Sequence, residues 1–317
     1  LQYHPFSLSC IMITFSITIL GSGGSIPLSH RNPSAHVVNV HEKLFLFDCA
    51  EGTQVQLRKN HVRLQKIEHI FISHLHGDHY FGLMGLVTSF HLLGREAELH
   101  LYAHPDLEKI IHLHLEASQT ILRYPLKFHG IDPDKAEVIL DNTSVEVSTI
   151  PMMHNFPTCG FLIREKQAKP NIRKDFIEGK ELTRIDFRRI KAGQDYTDKE
   201  GKVYKNAEIT TPPRLGRAYA YCTDTAYNED VVPLIKGVDL LYHEATFMED
   251  KAADAAAKFH STAKQAANIA LKAGAKRLVI GHYSARYKEP AALLSEAKEV
   301  FPQTVLAIDG KVIEVRI

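Results

Sequence analysis

Cysteine is scarce: Cys10, Cys49, Cys159 and Cys222 are the four in 317 residues, far apart and with no CxxC pair. That excludes a disulfide framework and a cysteine-based zinc site, and it fits a reduced, cytoplasmic setting. Neither sign of charge is in excess, with 38 Lys+Arg against 37 Asp+Glu and a formal charge of +1. Nucleic-acid binding, if any, has to come from a local patch rather than a global field. No apolar run is long enough to span a bilayer, so no membrane is expected as a partner. The segment Phe6–Leu20 is apolar and uncharged, but it lacks the basic flank and cleavage site of a signal peptide. From Met12 onward apolar residues alternate with Thr and Ser, which reads as a strand. Residues 1–11 read as an upstream extension or expression remnant, with one folded domain over 12–317. The run Gly21-Ser22-Gly23-Gly24-Ser25 has neither the following Gly-Lys-Ser/Thr of a P-loop nor dinucleotide-fingerprint spacing. It reads as a tight strand-to-loop turn.

Hydrophobic residues make up 44% and charged residues 24% of the chain, enough for the full core of a globular protein. Periodicity predicts a hairpin from Ala35–Val40 and Lys43–Asp48, a helix over Glu51–Asn60, a buried strand at Ile67–Ser73 and a helix between Tyr80 and Leu93. A strand at Leu99–Ala103 and a helix at Asp106–Thr120 follow. Strands are expected at Ala218–Cys222, Val238–His243 and Arg277–Gly281. Thr262 with Gln265 makes a capping box for a helix that stops at Gly274, and Pro290–Val300 reads as another helix. Val305–Ile308 and Lys311–Ile317 read as a closing hairpin around Asp309-Gly310. Strands, helices and strands in this order fit an α/β class in which two sheets lie between helices. Residues 164–214 differ in texture: charges crowd in, aliphatics thin out, and Glu165–Arg214 carries a charge of about +4 by side-chain count. That stretch reads as an insertion.

Histidine is abundant, with 19 copies, and neutral imidazole is the commonest metal ligand. The densest cluster is Ser73-His74-Leu75-His76-Gly77-Asp78-His79. Three imidazoles and a carboxylate directly follow a buried strand, and they supply the N/O donors that Zn²⁺ prefers.

This H-x-H-x-D-H run resembles the metal-binding signature of the metallo-β-lactamase fold, a four-layer αββα sandwich. The resemblance extends over nearly all of the chain from Met12. It implies further ligands, each just past a strand, and the sequence has His154 after Val145–Met153, Asp224 after Tyr219–Cys222 and His282 after Leu278–Gly281. By that resemblance His74, His76 and His154 hold one Zn²⁺, Asp78, His79 and His282 hold a second, and Asp224 bridges the two. Mn²⁺ is also compatible with such donors.

Three features narrow the resemblance to the ribonuclease Z family. His243-Glu244-Ala245-Thr246 and His260-Ser261-Thr262 are similar to that family's paired loops, which implies that His260 acts as general acid and Glu244 orients and charges it. Asp78 would hold and deprotonate the attacking water. The charged insertion lies where the family carries a protruding arm that grips precursor tRNA, although it is poorer in Gly and Pro. The loop Pro27-Leu28-Ser29-His30-Arg31-Asn32 resembles a substrate-contacting loop with Ser29 in place of the usual lysine, implying substrate contacts from Arg31 and Asn32. The family acts as a homodimer that removes 3′ trailers, leaving a 3′ hydroxyl on tRNA and a 5′ phosphate on the trailer. The competing expectations are a small-molecule phosphodiesterase or other hydrolase of the same fold, and a non-catalytic RNA-binding subunit.

Overall fold

The computed structural model describes residues 14–213 and 215–316. The expectations for residues 1–11 and for a start near Met12 lie outside that range. Nine strands come first: β1 (Phe15–Gly21), β2 (Ala35–Val40), β3 (Lys43–Phe47), β4 (Ile67–Phe71), β5 (Leu99–Ala103), β6 (Leu126–Gly130), β7 (Val138–Asp141), β8 (Val145–Pro151) and β9 (Cys159–Glu165). Among them lie helices α1 (Thr53–Lys59), α2 (Gly77–Tyr80), α3 (Leu83–Leu92) and α4 (Asp106–Ala117).

A second compact unit, Glu165–Arg217, follows. It contains β10 (Asn171–Ile172), α5 (Lys174–Ile177), α6 (Arg184–Lys191), β11 (Tyr196–Thr197), β12 (Val203–Tyr204), α7 (Asn206–Ile209) and β13 (Thr210–Thr211). It has its own small core: Ile172, Ile190 and Ile209 are buried beneath Phe176, Phe187, Tyr196 and Tyr204.

The first unit then resumes with β14 (Ala218–Cys222), β15 (Leu240–Glu244), α8 (Ala252–Ala257), α9 (Ala263–Ala273), β16 (Leu278–Gly281), α10 (Ala291–Val300), β17 (Thr304–Leu306) and β18 (Val312–Glu314). Its two seven-stranded sheets run β18-β1-β2-β3-β4-β5-β6 and β17-β16-β15-β14-β9-β8-β7. Period-two alternation assigns the faces. In β14, Tyr219 and Tyr221 point between the sheets, where they meet Phe47, Phe161 and Tyr242. Ala218, Ala220 and Cys222 point outward, and their small side chains let the alanine stripe of α9 (Ala263, Ala266, Ala267, Ala270) pack close. On the outer face of the first sheet, Leu46, Ile70 and Leu101 pack beneath Leu86, Phe90 and Ile111 of α3 and α4. Helices, sheet, sheet and helices make the four αββα layers expected of the metallo-β-lactamase fold. The Thr262–Gln265 capping box forms, and Gly274 stops α9 in the left-handed conformation.

The expected C-terminal hairpin does not form. β17 pairs parallel with β16 in the second sheet, whereas β18 pairs antiparallel with β1 in the first. The Asp309-Gly310 turn is present, with Gly310 at φ 84, but it carries the chain from one sheet to the other. The Asp309 carboxylate accepts from Ser22 Oγ at 2.7 Å, Asn32 N at 2.7 Å and Asn32 Nδ2 at 2.9 Å, tying the crossing to the loop after β1. No helix among the described residues is long and apolar enough to cross a membrane.

Candidate active site

The ends of β4, β8, β14 and β16 converge. The segment after β4 keeps His74 and His76 in extended chain and places Asp78 and His79 on the single helical turn α2. His74, His76, His154 and Asp224 offer donor atoms that all lie within 4.8 Å of one another, and the same holds for Asp78, His79 and His282, and for Asp224, His260 and His282. Asp224 stands between the groups, with Oδ1 at 3.1 Å from His282 Nε2 and 3.3 Å from His79 Nε2, and Oδ2 at 3.8 Å from His74 Nε2.

The imidazoles are oriented by partners that fix their protons. His79 Nδ1–H donates to Asp48 Oδ2 at 2.7 Å and His154 Nδ1–H to the Phe259 carbonyl at 3.0 Å; both acceptors can only accept. His74 Nδ1 lies 3.0 Å from Ser73 Oγ, and His282 Nδ1 lies 2.9 Å from Thr246 Oγ1. Those hydroxyls already donate to Asp48 and Glu244, so they accept from the rings. With Nδ1 so engaged, all four rings turn Nε2 toward the cluster. His76 turns Nδ1, which lies 3.3 Å from His154 Nε2.

These donors fit metal. His74 Nε2 and His79 Nε2 are fully buried with no hydrogen-bond partner, a costly state unless something else fills the gap. Burial opposes charge on His79, yet the carboxylates Asp224, Asp78 and Asp48 outweigh it and hold the ring well above the ordinary imidazole range. Burial opposes charge on Asp224 too, and His282 and His79 nevertheless keep it well below the usual carboxylate range. The pocket demands positive charge, and imidazole–carboxylate donors at this spacing suit divalent cations.

Beside the cluster lies an ordered pair. Glu244 Oε1 is 2.8 Å from His260 Nδ1. The carboxylate is fully buried at the end of β15, accepting from Thr225 N at 3.1 Å, Thr246 N at 3.0 Å and Thr246 Oγ1 at 2.7 Å. Burial works against a charge on His260, but Glu244 prevails and raises it to about 9. The His260 ring centroid sits 5.5 Å from that of His154 and 5.4 Å from that of His282. His243, by contrast, is a buried neighbour whose Nδ1 donates to the Glu244 carbonyl.

Comparison with known proteins decides the family. The family model for the anti-Pycsar protein Apyc1 matches residues 15–172, and that for the beta-lactamase superfamily domain matches residues 208–283. The ribonuclease Z of Phocaeicola vulgatus is 47% identical over 296 residues, covering 93% of this chain and 96% of that one. The ribonuclease Z of Porphyromonas gingivalis is 44% identical, covering 93% and 97%. Among solved structures, the short form of human tRNase Z superposes with a TM-score of 0.69 at 27% identity, covering 95% of this chain and 100% of that one. The chain belongs to the ribonuclease Z family. It is an endoribonuclease, a hydrolase of phosphodiester bonds.

Two residues expected to contact substrate are engaged within the fold. Arg31 is turned inward: it is only 5% exposed, its Nη2 donates to the Tyr287 and Lys288 carbonyls at 3.1 and 3.0 Å, and it lies over the Tyr283 ring. Asn32 is committed to Asp309. Both shape the loop before β2. The burial of Arg31 has a physical reason: the loop is pinned between β1 and the segment after β16, with Gly23 bridging Pro33 and Tyr283.

Asp48 escaped the sequence reading. Fully buried at the end of β3, it accepts from His79, from Tyr221 Oη at 2.8 Å, from Ser73 Oγ at 2.9 Å and from Ser73 N at 2.8 Å. It holds the first residue of the histidine motif and the orientation of its last. Asp48→Asn is expected to weaken metal binding about 10- to 100-fold, the usual cost of losing such a partner. Competition with a chelator of known affinity measures this. Unchanged affinity would assign Asp48 to folding alone.

Proposed function

We propose that this ribonuclease Z family member removes 3′ trailers from precursor tRNA, using two Zn²⁺ per subunit. The observation that carries the reading is the Glu244–His260 pair set against two adjoining ligand groups. His74, His76 and His154 would hold one cation, Asp78, His79 and His282 the other, with Asp224 between them; the same donors are compatible with Mn²⁺. Bound there, the cations supply water activation near neutral pH and positive charge for the phosphorane-like transition state.

The chain's own residues supply positioning and proton transfer. Asp78, kept well below the usual carboxylate range because His79 and His282 outweigh its burial, is an acceptor ready to orient the attacking water. The Ser25 N–H at 2.6 Å fixes that carboxylate. Glu244 binds His260 Nδ1–H, so Nε2 carries the transferable proton of the charged ring. His260 gives it to the departing 3′ oxygen, leaving a 3′ hydroxyl on tRNA and a 5′ phosphate on the trailer.

The unit Glu165–Arg217 is proposed as the tRNA-binding arm. Several of its cations are spent on carboxylates: Lys199 on Glu181, Lys205 on Asp195 and Arg173 on Asp175. Arg184, Arg188 and Lys191 of α6 are exposed and form no ion pair among the described residues. Their i, i+4, i+7 spacing places them on one face, a row suited to phosphates. We further propose a homodimer in a cytoplasmic setting, in keeping with the buried, unpaired Cys49, Cys159 and Cys222.

The test is a 3′-extended precursor tRNA incubated with and without chelator, with the cut mapped on a sequencing gel. A single metal-dependent cut next to the discriminator nucleotide is expected. No cut, from protein that carries metal and hydrolyses bis(p-nitrophenyl) phosphate, would move the function to a small-molecule hydrolase.

The arm has its own test. Glu165 N donates to Arg217 O at 2.8 Å, so an Asn-Gly turn can replace residues 166–216 and close a hairpin. This deletion is expected to weaken precursor-tRNA binding and flatten its salt dependence while sparing bis(p-nitrophenyl) phosphate. Reversing Arg184, Arg188 and Lys191 to Glu in the intact chain is expected to lower the salt slope by up to about 3, at ~0.9 per lost phosphate contact. Equal loss on both substrates would sink the arm assignment.

A further inference from the structure

On the Asp78 side of the metal-ligand cluster lies a cavity of about 310 Å³, a size at the low end of small-ligand pockets (~300–1,000 Å³). Pro27 and Pro33 of the loop after β1, Glu51, Asp78 and the Phe81 ring line it. The Phe81 ring packs on the backbone of Gly77, where a Cβ would fall 2.3 Å from the ring, and it touches Tyr80 edge-on at 5.1 Å. The side chain is nevertheless 64% exposed, so an aromatic surface is held in place and left open. Glu51 is exposed and forms no hydrogen bond or ion pair among the described residues. Ser25, at φ 68, is held in the left-handed region while its N–H anchors Asp78. Strain of that kind persists where the surroundings over-determine it, and it gathers at functional sites.

An unpaired carboxylate beside Asp78 is a poor neighbour for an anionic phosphodiester. It must therefore face a part of the substrate that is not phosphate. A carboxylate only accepts hydrogen bonds, and an exposed ring offers a face to stack on. RNA out of its helix presents both complements: a flat base and the N–H donors on its edge.

We infer that this cavity seats the base of one of the two nucleotides flanking the scissile phosphate, stacked on Phe81 and read at its edge by Glu51. The inference rests on the proposed RNA cleavage at this site. Glu51 favours bases with an exocyclic amine. Guanine offers N1–H and N2–H together, while cytosine and adenine each offer one amino group. Uracil offers N3–H between two carbonyl oxygens that the carboxylate repels. Phe81 and Glu51 are thus specificity residues, and neither takes part in proton transfer.

The test uses the full chain stripped of metal, so that no turnover occurs. A precursor tRNA carries 2-aminopurine, a fluorescent base with an exocyclic amine, at either flanking nucleotide. Binding is followed in parallel by polarisation of a dye at the 5′ end. Wild type is expected to quench one of the two positions on binding, and Phe81→Leu to bind the RNA with most of that quenching gone. In the metal-loaded enzyme, an abasic residue at the quenched position is expected to cost wild type about 5- to 150-fold in kcat/KM, the range of one base–aromatic stack. It is expected to cost Phe81→Leu much less. Wild type is expected to disfavour uracil there, and Glu51→Gln, which can donate as well as accept, to narrow the spread among the four bases to about twofold. Melting curves confirm that both variants fold. Cleavage of precursor tRNA with no quenching at either position, quenching that survives Phe81→Leu, or a base preference indifferent to Glu51→Gln would overturn the inference and leave the proposed function intact. Failure of wild type to bind or cut precursor tRNA would overturn the proposed function, and this inference with it.

Discussion

Asp224→Ala is expected to lose bound metal and RNA cleavage together. Among the described residues no other carboxylate reaches both ligand groups: Asp224 faces His74 on one side and His79 and His282 on the other. Two divalent cations held by adjoining groups would repel each other without an anion between them, and the alanine variant leaves Asp78 as the one carboxylate among the candidate ligands. With water activation and transition-state charge stabilisation both gone, cleavage is expected to fall at least ~10³-fold, since losing one preorganised electrostatic group already costs about 10²–10³. Metal content by mass spectrometry, read beside cleavage of a 3′-extended precursor tRNA, checks this. A variant that keeps two metals per chain would remove Asp224 from the bridging position.

His260→Ala is expected to behave differently, slowing cleavage by about 10²–10⁴, the usual worth of general acid–base catalysis, while the protein keeps its metal. The ring lies within reach of Asp224 and His282 and forms a possible donor group with them, so geometry alone allows a ligand role as well. Glu244 occupies Nδ1, which leaves Nε2 to donate a proton or to bind metal, and metal content separates the two roles. Metal loss in step with activity would make His260 a ligand. Full metal content with slow cleavage would make it the acid, and a leaving group of lower pKa should then restore part of the rate.

The histidine motif was legible because its donors fall within six positions directly after the buried strand end Ile70-Phe71-Ile72. His154, Asp224 and His282 were legible for a related reason: each comes directly after a β-rich run, at the strand end where ligands collect. Asp48 was not. Its partners His79 and Tyr221 lie 31 and 173 positions away, and one Asp after a strand looks like any turn. Arg31 shows the converse. An arginine in a polar loop reads as a phosphate contact, and only the packing of Tyr283 and the carbonyls after it shows that the charge is turned inward. Many strands followed from apolar patterning, although β6 and β7 were not placed individually, and the Asp309-Gly310 turn marks only where the chain bends. β18 joins β1, more than 290 positions earlier, and β17 joins β16 rather than its neighbour across the turn, a choice that local patterning does not encode. For the inserted unit, composition foretold the charge. The small core draws Ile172, Ile190 and Ile209 one each from three short elements, β10, α6 and α7, so no single run announces it.

The crossing between the sheets also bears on when the enzyme can work. Glu314 pairs with Ser16, and Asp309 fastens Ser22 and Asn32. The loop so fastened includes Gly24, where any Cβ would strike the His282 ring at 2.6 Å, and Ser25, which anchors Asp78. A ribosome translating this message has made every metal-ligand residue by His282, yet the first sheet still lacks its edge strand and the loop its tether. Contacts this distant in sequence form slowly and late. At that point the nascent chain carries the candidate chemical groups without the strand and tether that finish their scaffold.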